Sequence, residues 1–153
     1  MAMLEVETPA DMKAHIGKPI GTSDWVTVDQ AMIDKFADAT GDHQWIHVDV
    51  ERAKREMPDG KTIAHGFLTL SLLAGLAHQV YAIRKRSRGI NYGSNRVRFT
   101  SPVQVGSRVR LHQTLKNVED IEGGVRMTFE STMEIEGSTR PALVAETLNL
   151  AYD

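Results

Sequence analysis

The chain of 153 residues contains no cysteine. That single absence excludes disulfides, thiolate metal sites and a cysteine nucleophile. An excess of either charge is also missing. Lys and Arg number 18 against 20 Asp and Glu, a formal net charge of −2, so no global basic field exists to gather nucleic acid. Long apolar runs are absent too. The longest apolar region, Phe67 to Tyr81, is interrupted by Ser71, His78 and Gln79, whereas a membrane-spanning helix needs about 20 mostly apolar residues. The opening stretch "MAMLEVETPADMKAH" is acidic and lacks the basic-then-apolar order of a signal peptide. Neither an internal repeat nor a linker divides the sequence, so residues 1–153 read as one domain. The expectation is a soluble, cytoplasmic protein with no nucleic-acid and no membrane partner.

What is present is patterned. "SDWVTV" (Ser23 to Val28) has the β-branched and aromatic character of a short strand, and a helix follows it directly. Thr27 and Gln30 have capping-box spacing, Ile33, Phe36 and Ala37 recur at helical intervals, and Gly41 stands where a helix terminator belongs. Asp49 is placed to cap a second helix, "VERAKREM", which stops before Pro58. In "TIAHGFLTLSLLAGLAHQVYAIRKR", Ile63, Phe67, Leu70, Leu73, Ala74, Ala77 and Tyr81 form one helical stripe, while Leu68, Leu72, Leu76 and Val80 lie off it. A helix apolar on most sides is expected to be buried on most sides.

The remainder reads as strands. "RVRF" and "SRVRL" alternate; Val125, Met127, Phe129, Met133 and Ile135 keep a period of two, and so do Val144, Leu148, Leu150 and Tyr152. Gly123-Gly124 and "EGSTRP" mark turns, so neighbouring strands are expected to be antiparallel. A run of strands after one apolar helix predicts an α+β layout, an antiparallel sheet wrapped around a long central helix. Its edge strands predict a homodimer, because pairing two protomers edge to edge covers them.

Two short stretches carry chemistry. In "TGDHQWIH" (residues 40–47), Asp42 and His47 stand five apart just beyond a helix end. A folded loop can bring such a carboxylate and imidazole onto one water, one removing its proton while the other orients it or returns a proton. The plainer possibility is that Asp42 only follows the helix and His47 packs against the next one. A metal reading drawing on Asp42, His43, His47 and Asp49 lacks a recognisable ligand spacing. In "IAHGF", Gly66 lets a ligand approach the backbone, and the first N–H groups of a helix can stabilise an oxyanion. Equally, Gly66 can serve close helix–sheet packing, with His65 a core histidine.

"FADATGDHQWIHVDVERA", followed by "TIAHGFLTLSLLAGL", resembles the MaoC-like dehydratases, the hydratase branch of the hot-dog fold. That family shows an acid–x–Asn–Pro–x–His–x–Asp loop and then an Ala/Val-His-Gly helix start. Asp42, His47 and Asp49 keep the spacing, and Ile63 to Leu68 match the helix start. "INYGSNRVRFTSPVQVGSRVRL" is similar to the family's next strand and its Pro-Val-x-x-Gly turn, so the resemblance runs from about Ser23 to the C-terminus. It implies (R)-specific hydration of a trans-2-enoyl-CoA, with an acyl-CoA thioester as substrate and no metal or other cofactor. Asp42 and His47 then match the water-activating pair, and Gly66 matches the backbone donor to the thioester oxygen. His65, Phe67, Asn91, Tyr92 and Gly93 are grouped with them as substrate-binding residues. Gln44 and Trp45 depart from the family's Asn-Pro, removing a fixed φ angle from the loop.

Within enzymes the competing reading is a hot-dog thioesterase, which directs water at the thioester carbonyl. Outside them it is a non-catalytic acyl-CoA or acyl-carrier binding subunit. The Asp–His spacing and the His-Gly helix start favour the hydratase. "IRKRSR" sets Arg84, Lys85, Arg86 and Arg88 at the expected end of the long helix, where cations complement its C-terminus. Those residues, or Arg96 and Arg98, are the candidates for the phosphates of coenzyme A.

Overall fold

Strand pairing organises the chain. A computed structural model describes residues 3–153. In order along it are β1 (Leu4–Val6), a 3-10 helix (Pro9–His15), β2 (Pro19–Thr22), β3 (Val26–Thr27), α1 (Gln30–Thr40), α2 (Trp45–Val48), α3 (Val50–Glu56), α4 (Gly66–Ala77), β4 (Tyr81–Ile83), β5 (Arg88–Phe99), β6 (Arg108–Ile121), β7 (Gly124–Ile135) and β8 (Leu143–Tyr152). The main sheet runs β2-β6-β7-β8-β5, with β3 also on β6. All its pairings are antiparallel. The apolar residues of α4, among them Leu68, Leu73 and Leu76, share one core with Val109, Leu111, Leu115, Met127, Phe129 and Met133 of the sheet. This is the expected α+β, hot-dog arrangement.

β7 follows its sequence pattern: Val125, Met127, Phe129, Met133 and Ile135 are all buried. Phe129 is fully buried and stacks on Tyr81, with centroids 5.3 Å apart. Truncating such a side chain to alanine costs about 3–5 kcal/mol. In β8 the expected phase is wrong. Leu143, Ala145, Thr147 and Ala151 face the core, whereas Val144, Leu148, Leu150 and Tyr152 are half-buried on the outer face. Thr147 and Asn149 line a cleft together with Leu70 and Ala74 of α4. From Ala145 on, the inward positions of β8 carry small side chains and the larger ones turn outward.

The central helix is shorter than its apolar run. It spans 12 residues, Gly66 to Ala77, and the chain then turns so that Tyr81–Ile83 pairs in parallel with Leu4–Val6. Arg84, Lys85, Arg86 and Arg88 therefore do not sit at a helix C-terminus. Arg84 and Lys85 instead meet Glu5 and Glu7 beyond the β1–β4 pair, and Arg88 stacks over the Tyr152 ring. Nor is the helix buried on most sides: Phe67 is 67% exposed, and Ser71, Ala74 and Gly75 face solvent. Beside that open face, only Val97 of β5 escapes full exposure.

Three local expectations concern the segments that flank the site. Asp29, not Thr27, caps α1, its carboxylate accepting from Met32 N–H. The strand before it is only Val26–Thr27. Gly41 ends α1 in the left-handed region at φ 81°, where a side chain is strained. Asp49 caps α3 as its position implies, accepting from Arg52 N–H at 3.0 Å. No helix among the described residues is long and apolar enough to cross a membrane.

Candidate active site

His47 is held by the residue that precedes the His-Gly helix start. Ile63 uses both its backbone groups on α2: its N–H donates to the Ile46 carbonyl, and its own carbonyl accepts from His47 Nδ1 at 2.6 Å. A carbonyl only accepts, so Nδ1 carries the hydrogen and Nε2 is left with a free lone pair. Gln30 of α1 steadies the same turn. Its amide donates to the His47 carbonyl at 2.8 Å and accepts from the Thr62 hydroxyl at 2.6 Å. His47 is 6% exposed, and burial is the main cause that depresses its pKa, with His65 adding to the effect and the Ile63 and Asp42 contacts opposing it. The ring is thus neutral and basic at neutral pH.

Asp42 lies within the four-residue loop between α1 and α2 and is exposed. One of its carboxylate oxygens accepts from Gln44 N–H at 3.3 Å, an Asx-type turn that aims the side chain back over the loop. His65 ties this loop to the start of α4, its Nε2 donating to the Asp42 carbonyl at 2.9 Å. Asp42, His47 and His65 each place one ligand-capable atom within 4.8 Å of the others. The two imidazoles are stacked, 3.9 Å apart and 22° from parallel. Lone pairs of near-parallel rings run alongside one another and do not converge about 2 Å from each nitrogen as a metal demands. The cluster is better built for handling a proton than for chelation.

His47 and Gly66 open into a common cleft of about 340 Å³, walled by Phe99, Pro102 and Val103. Gly66 begins α4, so its N–H belongs to the first turn, which has no helical acceptor. A Cβ at this position would come within 3.0–3.1 Å of three Phe99 ring atoms, so the aromatic ring lies directly on the glycine. Phe67 meets Phe99 edge to face at 6.0 Å on the exposed rim.

The other sequence-predicted residues are distributed less simply. His65 is 3% exposed and sits behind His47, away from the cleft lining, which corrects its grouping with substrate-binding residues. Asn91, Tyr92 and Gly93 line a separate cleft of about 370 Å³ against the middle of α4. They stand at a register shift in the β5–β8 pairing, between Asn91 and Gly93. His43 faces outward to Asp38 at 2.9 Å, and that contact raises its pKa. Arg96 and Arg98 are exposed on β5. The holding roles of Ile63, Gln30 and Thr62 leave no motif in the sequence, because they are backbone or neutral polar contacts.

Comparison with known proteins is consistent over most of the chain. Residues 11–135 match the family described as MaoC like domain. The 3-hydroxyacyl-thioester dehydratase Z of Mycobacterium tuberculosis is 54% identical over 147 residues, covering 95% of this chain and 97% of that protein. Among solved structures, a monoamine oxidase regulatory protein from Archaeoglobus fulgidus superposes with a TM-score of 0.79 at 25% identity, covering 100% of this chain and 99% of the other. An (R)-hydratase from A. caviae, involved in PHA biosynthesis, superposes at 0.70 with 21% identity, covering 86% and 95%.

Proposed function

The chain belongs to the MaoC-like dehydratase family, and from that premise we propose that it is a hydro-lyase acting on acyl thioesters: it adds water to a trans-2-enoyl-CoA to give the (R)-3-hydroxyacyl-CoA, reversibly. One observation carries the reading. A neutral histidine with a free Nε2 and the unpaired N–H of a helix start open into the same cleft. His47 Nε2 takes a proton from a water that Asp42 orients, as the water oxygen bonds to C3. Charge flows to the thioester oxygen, which Gly66 N–H and the positive end of α4 stabilise. The proton taken from water returns to C2 as the carbonyl reforms, so nothing is oxidised or reduced and no metal or other cofactor is consumed.

The same proposal includes a homodimer. β5 is a sheet edge with a single strand neighbour, and Ile90, Tyr92 and Phe99 on it, with Phe67 beside it, are exposed large apolar residues. A second copy pairing along this edge covers all four.

Purified protein is expected to hydrate crotonyl-CoA, followed as loss of the conjugated enoyl absorbance, and to keep doing so in the presence of a chelator. Release of free CoA identifies a thioesterase instead. Binding of crotonyl-CoA without turnover, equal in wild type, Asp42→Asn and His47→Ala, identifies a binding subunit.

A further inference from the structure

His65 is an expensive residue for the place it fills. Its ring is sandwiched between His47, stacked at 3.9 Å, and Phe36, tilted with centroids 4.9 Å apart. Because Nε2 donates to the Asp42 carbonyl, Nδ1 carries only a lone pair. That Nδ1 is buried with no hydrogen-bond partner. A phenylalanine fills the same slot without leaving an acceptor unsatisfied, and buried polar atoms in that condition call for a reason. The reason available here is the pair of contacts only an imidazole makes at once: an N–H to the Asp42 loop and an aromatic face to His47.

We propose that His65 is a positioning residue, holding Asp42 by its main-chain carbonyl and His47 by its ring face so that the two stay aimed at one water. The inference rests on the roles of Asp42 and His47 given above. It also bears on which form His47 takes. The titratable groups facing His47 are His65 from the start of α4, which disfavours a proton on it, and Asp42 from the loop, which favours one. A neutral base is therefore kept in place by the same ring that fixes its orientation.

Two variants separate the contacts. His65→Phe keeps the ring and removes the donor; His65→Gln keeps an amide N–H within reach of the Asp42 carbonyl and removes the ring. With crotonyl-CoA, His65→Phe is expected to lower kcat about 10²-fold with KM within about twofold, the effect of misplacing a catalytic group by about 1 Å. His65→Gln is expected to recover roughly tenfold of that loss. In both, the His47 imidazole followed by NMR is expected to titrate at higher pH than in wild type. If His65→Phe does not fold, His65→Met, unbranched and adaptable, takes its place. Wild-type kcat in His65→Phe overturns the proposal. So does equal loss in both variants with an unmoved His47 titration, which marks His65 as packing only. The NMR measurement needs no turnover. A wild type that fails to hydrate crotonyl-CoA thus overturns the proposed function, while an active wild type whose kcat is unchanged in His65→Phe overturns this inference alone.

Discussion

Asp42 and His47 are five residues apart and occupy opposite surroundings. The imidazole is buried, its Nδ1 fixed on a carbonyl and its ring stacked. The carboxylate is exposed and bonded only within its own loop. On the proposed reading the two groups then have different work: the buried one is set in tautomer, and the open one can adjust to the substrate. The contrast teaches that, if His47 is the proposed base, it is held in place before substrate arrives, while the placement of Asp42 is completed by it.

Breaking the buried end should cost most. His47→Ala is expected to lower kcat/KM by at least about 10³-fold, and Asp42→Asn by about 10²-fold, within the range for lost general acid–base groups. Steady-state kinetics on crotonyl-CoA checks the order, and a larger loss in Asp42→Asn reverses the assignment of roles. Acid should break the same end without mutation. Folding depresses the His47 pKa below the ordinary imidazole value of about 6.5, so its stabilising contribution is complete above that pH. It is lost as pH falls from about 6.5 through the folded value, because the unfolded chain binds the proton more readily. The melting temperature is expected to drop between about pH 7 and pH 5, and His47→Gln to flatten that drop. The acid limb of kcat/KM should lie below about pH 6.5 for the same reason.

Smaller changes sharpen the contrast. Gly66→Ala pushes a methyl group against the Phe99 ring, with an expected loss of kcat of about tenfold from displacement of the oxyanion donor. Phe99→Leu in the same chain should restore part of it, the non-additivity being measured by a double-mutant cycle. The smallest effect is expected at the loop. Trp45 is the first residue of α2, and Gln44 before it sits at φ −56°, ψ 138°, the extended region a following proline requires. Trp45→Pro is therefore expected to fold, to keep activity within about threefold, and to change stability by no more than about 1 kcal/mol in thermal melts.

That last geometry explains why the loop was readable despite its departure from the family pattern: Trp45 stands where proline is tolerated, not where it is needed, and its ring packs under Arg52 at 4.1 Å. Legibility elsewhere followed burial. β7, with neighbours on both sides, shows its period of two plainly in Val125 to Ile135. β8 is harder to read because its inward positions after Leu143 include the small Ala145, Thr147 and Ala151, while Val144, Leu148 and Leu150 face outward. The end of α4 misled because helical periodicity continues through Val80 and Tyr81 although a partner strand claims them. The grouping of Asp42 and His47 with Gly66 came from the family resemblance; spacing alone left Asp42 and His47 open to a packing role. The clamp of Ile63 and Gln30 was not legible, since backbone carbonyls and amides carry no sequence signature. Asn91 to Gly93 line a different cleft from His47 because β5 runs along α4, with Phe99 at the helix start and Asn91 beside its middle.

The β1–β4 pair also has a consequence in time. Leu4 meets Tyr81, 77 positions later in the sequence. At synthesis rates of about 5–20 residues per second, the first strand waits roughly 4–15 s for its partner to be made. Until that strand docks, the apolar run from Gly66 onward is free to wind past Ala77. The length of the central helix is thus settled late, by an earlier strand returning to claim a later one.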